Sequence, residues 1–274
     1  MRKGIALIFV LLGMAWATGL RADERLFGHL YEADLLPKGG LEFEQWITQE
    51  SGAAAGVFSR WKTRQELEFG LEDSLSASLY LNWESSYTSL VDATTGSTVS
   101  TSESSFDGVS TEWKWRLLNP YQDGIGLLLY FEPRYSGTEL ELEQKLVLQK
   151  NLGESAVLDL NVTEENEYGY TADTQSLTNK LEFGLGLAYK FSPNFSAGLE
   201  GLNRRTWPEG FQSEASSTWY LGPNLHVASG KWWATLSVLP QIQGQPETLP
   251  GDKRFLDSGD DSKVETNLIL GLNF

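Results

Sequence analysis

From Leu41 onward, apolar and polar side chains alternate in segments of about ten to fourteen residues, a period of two that calls for strands with one greasy and one polar face. In Val57 to Phe69 one face holds Val57, Ser59, Trp61, Thr63, Gln65, Leu67 and Phe69. The other holds Phe58, Arg60, Lys62, Arg64, Glu66 and Glu68. The pattern resumes as Leu75, Ala77, Leu79, Leu81 and Trp83, then as Val109, Thr111, Trp113, Trp115 and Leu117 opposite Glu112, Lys114 and Arg116. Later segments set Leu127, Leu129 and Phe131 against Tyr130, Glu132 and Arg134, and Leu140, Leu142, Leu146 and Leu148 against Glu139, Glu141, Glu143 and Lys145. Counted from Leu41 to Thr48 through Val264 to Phe274, the spacing predicts about twelve strands, an even number that suits a closed antiparallel barrel.

A soluble β-sandwich shares this period, and strand length separates the two. Sandwich strands centre on about five or six residues, whereas a strand tilted through a bilayer needs roughly nine to eleven. The joins at 70 to 74, 119 to 124, 151 to 155, 192 to 194 and 229 to 231 are short, and those between them, 88 to 104, 164 to 177, 205 to 214 and 243 to 262, are long. Short turns alternating with long external loops mark an outer-membrane barrel, with a tight turn at Ser136-Gly137 as the exception. The fold class predicted is all-β, a transmembrane antiparallel up-and-down barrel. Pairing Phe69 with Leu75 places Trp61 opposite Trp83, and aromatics gather near strand ends as interfacial girdles. Thr88 to Ser105 and Gly244 to Ser262 read as flexible external loops, the latter with Asp257, Asp260 and Asp261 as a weak divalent-cation candidate.

Arg2 and Lys3, an apolar run from Ile5 to Leu12 and the small residues Ala15, Ala17 and Gly19 have the layout of an export signal over 1–22, with cleavage after Ala17, Gly19 or Ala22. Residues 23–40 then form a periplasmic N-terminal segment and residues 41–274 the barrel. Zero cysteines and two histidines exclude a thiol catalyst and leave little for a metal site, so no cofactor is expected. A formal charge of −16 argues against nucleic acid as partner.

The stretch Leu26-Phe27-Gly28-His29-Leu30-Tyr31 through Ala33-Asp34-Leu35-Leu36-Pro37-Lys38-Gly39 into Glu42-x-Glu44-Gln45-Trp46 resembles the start of an uncharacterised family of Gram-negative outer-membrane barrels. The likeness continues in Trp113-x-x-Arg116-Leu117-Leu118-x-Pro120-Tyr121, Tyr130-x-Glu132-Pro133, Lys145-Leu146-x-Leu148-Gln149-Lys150-Asn151, Trp219-Tyr220-Leu221-Gly222-Pro223-Asn224-Leu225-His226 and Trp232-Trp233-Ala234-Thr235. It implies a barrel in the outer membrane and no particular substrate. The terminal strand ending at Phe274 is similar to the signal read by the barrel assembly machinery. Outer-membrane lipid and lipopolysaccharide are the other expected partners.

With the polar face inward, the lumen candidates are Arg60, Lys62, Arg64, Glu66, Glu112, Lys114, Arg116, Glu132, Arg134, Glu141 and Glu143. One reading is a passive channel or transporter for small hydrophilic solutes, selected by opposed charge rows. The alternative is a plugged structural barrel whose charges pair across strands. An outer-membrane hydrolase is the weakest reading. The sequence has no Gly-x-Ser-x-Gly elbow, His29 precedes the first strand, and His226 faces inward near a short turn as a hydrogen-bonding group. No enzyme activity is expected.

Overall fold

The structure, a computed structural model, describes residues 24–52, 57–91, 96–170, 174–245 and 262–274. The export signal and the acidic cluster at Asp257, Asp260 and Asp261 lie outside the described residues. Twelve strands follow in chain order: β1 (Leu41–Ser51), β2 (Val57–Glu72), β3 (Leu75–Val91), β4 (Thr98–Leu118), β5 (Gly126–Tyr135), β6 (Glu139–Leu152), β7 (Ala156–Tyr170), β8 (Gln175–Ser192), β9 (Phe195–Pro208), β10 (Ser216–Ser229), β11 (Trp232–Gln245) and β12 (Val264–Asn273). Each pairs antiparallel with its sequence neighbours, and β1 pairs with β12 to close the barrel. The greasy face points outward, leaving Leu79, Leu117, Leu185, Leu199 and Leu221 exposed on the wall, as a lipid-facing band requires.

The five short joins gather at one end, called here the short-turn end. Two expectations about the opposite end change. Thr88 to Ser105 is mostly strand, because β3 and β4 stay paired out to Val91 and Thr98. Its β-branched Thr and Val residues suit a pleated ribbon, and its serines pair across it, Ser85 Oγ to Ser104 Oγ at 2.8 Å and Ser100 Oγ to Ser89 Oγ at 3.0 Å. Similarly, β7 and β8 run through much of 164 to 177. The register of the first hairpin also shifts by two. Strand β2 continues past Gly70 through a bulge, so Glu72 meets Leu75, Phe69 meets Ala77, and Thr63 rather than Trp61 lies opposite Trp83.

The core is inside the barrel, in the half nearest the short turns. There the inner wall departs from the polar face expected of it and carries Leu128, Val147, Val157, Ala188, Leu202, Leu239 and Ile269, all buried. What they bury is the N-terminal segment. Expected as a periplasmic extension, residues 24–36 enter the bore instead, and Phe27, Leu30, Ala33 and Leu36 are shielded almost completely from solvent. Two packed clusters form, one around Tyr31, Ala33 and Leu35, the other around Leu26, Phe27 and Leu30.

Candidate functional site

The bore divides into a filled half and an open half, and the segment 24–36 is the boundary. It enters at the short-turn end, where Gly39 N donates to Gly70 O at 2.8 Å and Gly70 N donates to Gly40 O at 3.0 Å. A Cβ at Gly70 would stand 2.0 Å from Pro37 O, so this close approach of two backbones needs glycine. The chain rises past Gln149 of β6 and Asn161 of β7 and reaches its apex at His29. It descends past Asn224 of β10 and Thr235 of β11 to Glu24, whose carboxylate lies 3.4 Å from His226 Nε2, back near the short turns. Both limbs therefore open on the same end.

Because the segment has no strand partner, wall side chains satisfy its backbone, as buried amides require. Asn161 pairs with Tyr31 at two points, its Oδ1 accepting from Tyr31 N at 2.8 Å and its Nδ2 donating to Tyr31 O at 2.9 Å. Gln149 Oε1 accepts from Ala33 N at 2.7 Å, and Asn224 Nδ2 donates to Leu26 O at 2.6 Å. Thr235 Oγ1 donates to Arg25 O. Near the apex, the buried Glu200 takes three amides, Gly28 N at 2.8 Å, His29 N at 2.9 Å and Leu30 N at 3.3 Å. Charge-assisted bonds of this kind cost about 1 to 3 kcal/mol each to leave unmade. Shape matches as well. Strand β8 turns Gly184 and Gly186 inward, and a Cβ there would stand 2.2 Å from Leu30 Cδ2 and 2.6 Å from Leu30 Cδ1 and Phe27 Cε1 respectively.

At the apex His29 Nε2 lies 2.7 Å from Glu182 and Nδ1 lies 3.3 Å from Glu265. Burial alone would lower the imidazole pKa, but these two carboxylates raise it to about 10, so the ring is a cation at neutral pH.

Above the apex a cavity of about 540 Å³ opens away from the short turns. Of the expected lumen residues, Arg60, Lys62, Arg64, Glu132, Arg134, Glu141 and Glu143 line it. The cavity wall carries eleven carboxylates against seven Lys and Arg side chains and the His29 cation, an acidic excess. Its charges pair locally, with Arg60 2.6 Å and Lys62 3.1 Å from Glu50, Lys180 2.9 Å from Glu165 and 2.6 Å from Glu167, and Arg134 2.8 Å from Glu139. Glu66, Glu112 and Lys114 lie deeper, buried at the level of the segment, and Arg116 sits by the short turns with its guanidinium donating to Asp73 O at 2.6 Å.

Carboxylate oxygens of Glu66, Glu68 and Glu112 approach one another within 4.8 Å, the spacing of a metal triad. Lys114 Nζ already fills that role, 2.9 Å from Glu68 and 3.3 Å from Glu112. Sequence reasoning set this segment apart from the barrel and missed its entry into the bore. Its signal was present where alternation fails near the short turns, as in Leu127-Leu128-Leu129-Tyr130-Phe131 and Leu268-Ile269-Leu270, runs that are apolar on both faces.

The family model that matches, over residues 20–274, is described as a family of unknown function (DUF6662). No curated protein matches the chain. Among solved structures, the COG4313 outer membrane channel from Pseudomonas putida F1 is similar in fold at a TM-score of 0.62 and 11% identity, over 87% of this chain and 97% of that one. The NanC porin is similar at a TM-score of 0.50 and 10% identity, over 85% of this chain and 98% of that one. At such identities the likeness is one of fold, and both folds are those of outer-membrane channels.

Proposed function

The chain belongs to this family of unknown function, so its activity has to be read from the bore, and we propose that it is an outer-membrane channel for small hydrophilic solutes, stoppered by its own N-terminal segment. The observation that carries the reading is the join between the two halves of the lumen. A charge-lined cavity wide enough for a small solute ends on the apex of a segment held by side-chain contacts and by no strand pairing, whereas a purely structural barrel has no need of a polar cavity over its plug. The acidic excess around that cavity favours cations. On the same reading, the outward band meets outer-membrane lipid and lipopolysaccharide, and the strand ending at Phe274 engages the barrel assembly machinery.

The stoppered geometry predicts small, infrequent openings for the intact chain in planar bilayers, and larger, longer ones for a variant lacking residues 24–36. Silence from both, with the barrels shown to be inserted, leaves the plugged structural barrel as the better account.

A further inference from the structure

The wall holds the stopper by its main chain. Thr235 and Asn224 donate to the carbonyls of Arg25 and Leu26, Asn161 takes both the N–H and the C=O of Tyr31, Glu200 accepts three amides and Gln149 a fourth. Eight backbone groups between residues 25 and 33 are thus bonded to five wall side chains. Hydrogen bonds to backbone carry no sequence information, so the same side chains suit peptides other than this one. Choice among side chains is left to the hollow at Gly184 and Gly186, which takes the apolar Leu30 and Phe27.

The wall also offers more than the stopper uses. Asp159, on the inner face of β7 two residues from Asn161 and directly across from Gln149 of β6, is fully buried, and neither of its oxygens has a hydrogen-bond partner. Glu32 and Asp34, which flank the residue bonded to Gln149, bring it charge of its own sign, and Lys190 of β8 acts on it without a hydrogen bond. Asn224 Oδ1 and Ser237 Oγ are buried and unpartnered as well, the latter against Gly28. Buried polar groups are ordinarily paired, so a wall shaped for the stopper alone has no use for idle ones. The charged one is the most telling, because what it lacks is a cation. An internal stretch of chain has no ammonium to give, and the amino terminus of a free peptide has.

We infer that the wall under the stopper is a peptide site, in which Asp159 receives an amino terminus and Asn161, Gln149, Glu200 and Asn224 hold main chain, and that the solutes admitted are short peptides with a free amino end. The binding site stands on these contacts; the solute class rests on the channel reading. The stopper is then a tethered substitute for such a peptide, matched to the wall along its backbone and mismatched at Asp159. The acidic cavity above draws the cationic end of a peptide toward it.

Competition in the full-length barrel in detergent tests this. A free peptide that takes the wall displaces the stopper and bares Arg25, so tryptic cleavage after that residue should accelerate saturably with millimolar tetraalanine, roughly fivefold or more. Tetraalanine methylated on its backbone nitrogens has no amide donors and should be inert. N-acetyl-tetraalanine keeps the amides and loses the charge, so its half-saturating concentration should be roughly tenfold higher. That ratio does not depend on how tightly the stopper is seated, and Asp159→Asn should bring it down to about one. His29→Gln, which loosens the stopper and leaves the peptide-holding side chains in place, is run beside the wild type. No acceleration in either protein, equal action of the plain and methylated peptides, or an acetylation penalty that survives D159N overturns the site. Cleavage is read without transport: a barrel that responds to tetraalanine and never conducts overturns the channel alone, and one that conducts but ignores tetraalanine overturns the site alone.

Discussion

His29 Nε2 and Glu182 Oε1 lie 2.7 Å apart, tying the apex of the stopper to a strand 153 residues further along the chain. The contact is an ion pair because the imidazole pKa is raised to about 10 in the folded protein, against roughly 6.5 in an unfolded chain. A group whose folded value is raised contributes its full stabilisation below the unfolded value and loses it as pH climbs through the folded one. The stopper should therefore stay seated through acidic and neutral pH and loosen as pH approaches and passes about 10. Single-channel recordings across that range should show openings that lengthen at the alkaline end, and His29→Gln should flatten the dependence. A profile unchanged by H29Q would detach the effect from this residue.

Glu200 gathers the amides of Gly28, His29 and Leu30, so Glu200→Gln replaces a charged two-oxygen acceptor by a single neutral oxygen. A loss of about 1 to 3 kcal/mol in stopper attachment follows, which is roughly a five- to hundredfold rise in open probability with strand pairing intact. Conductance paired with heat-modifiable mobility separates a released stopper from a damaged barrel.

A side chain at position 186 would compete with Phe27 and Leu30 for one volume. Gly186→Val should expel the apex while the wall persists, because β-branched residues are well accommodated in strands. Trypsin should then cut after Arg25 in the variant under conditions that spare the wild type, in which that residue is buried. Equal cleavage rates would mean that the segment is not held by this fit.

Lys62 lines the cavity with 42% of its side chain exposed, beside Glu50. Lys62→Glu adds to an acidic excess, so the reversal potential in a salt gradient should move toward stronger cation preference. An unchanged potential would remove this basic row from the ion path.

Strand count, closure and the inward direction of Arg60, Lys62, Glu132 and Arg134 were legible because each depends on a period of two that any local stretch displays. The bulge after Gly70 was not, since alternation carries no mark of an extra residue until two strands are laid side by side. Nor was the stopper. Residues 24–36 have no period, and their partners Gln149, Asn161, Glu200 and Asn224 stand between 116 and 198 residues away, as isolated polar positions on strands already full of them. The inward glycines of β8 and the doubly apolar stretches beside the short turns were visible, but they acquire meaning only once something is known to lie against them.

Both limbs of the stopper leave by the same mouth, which fixes how it responds to force. A pull on the chain ahead of Glu24, directed out of that mouth, loads the Arg25 and Leu26 attachments to Thr235 and Asn224 first and reaches Glu200 and His29 only after they have parted. Bonds that break one after another yield at lower tension than bonds sheared together, so extraction from that side should meet less resistance than a load spread over the whole segment. A load from the opposite mouth would fall on the apex contacts at His29 and Glu200 together, so the two directions of force should meet unequal resistance.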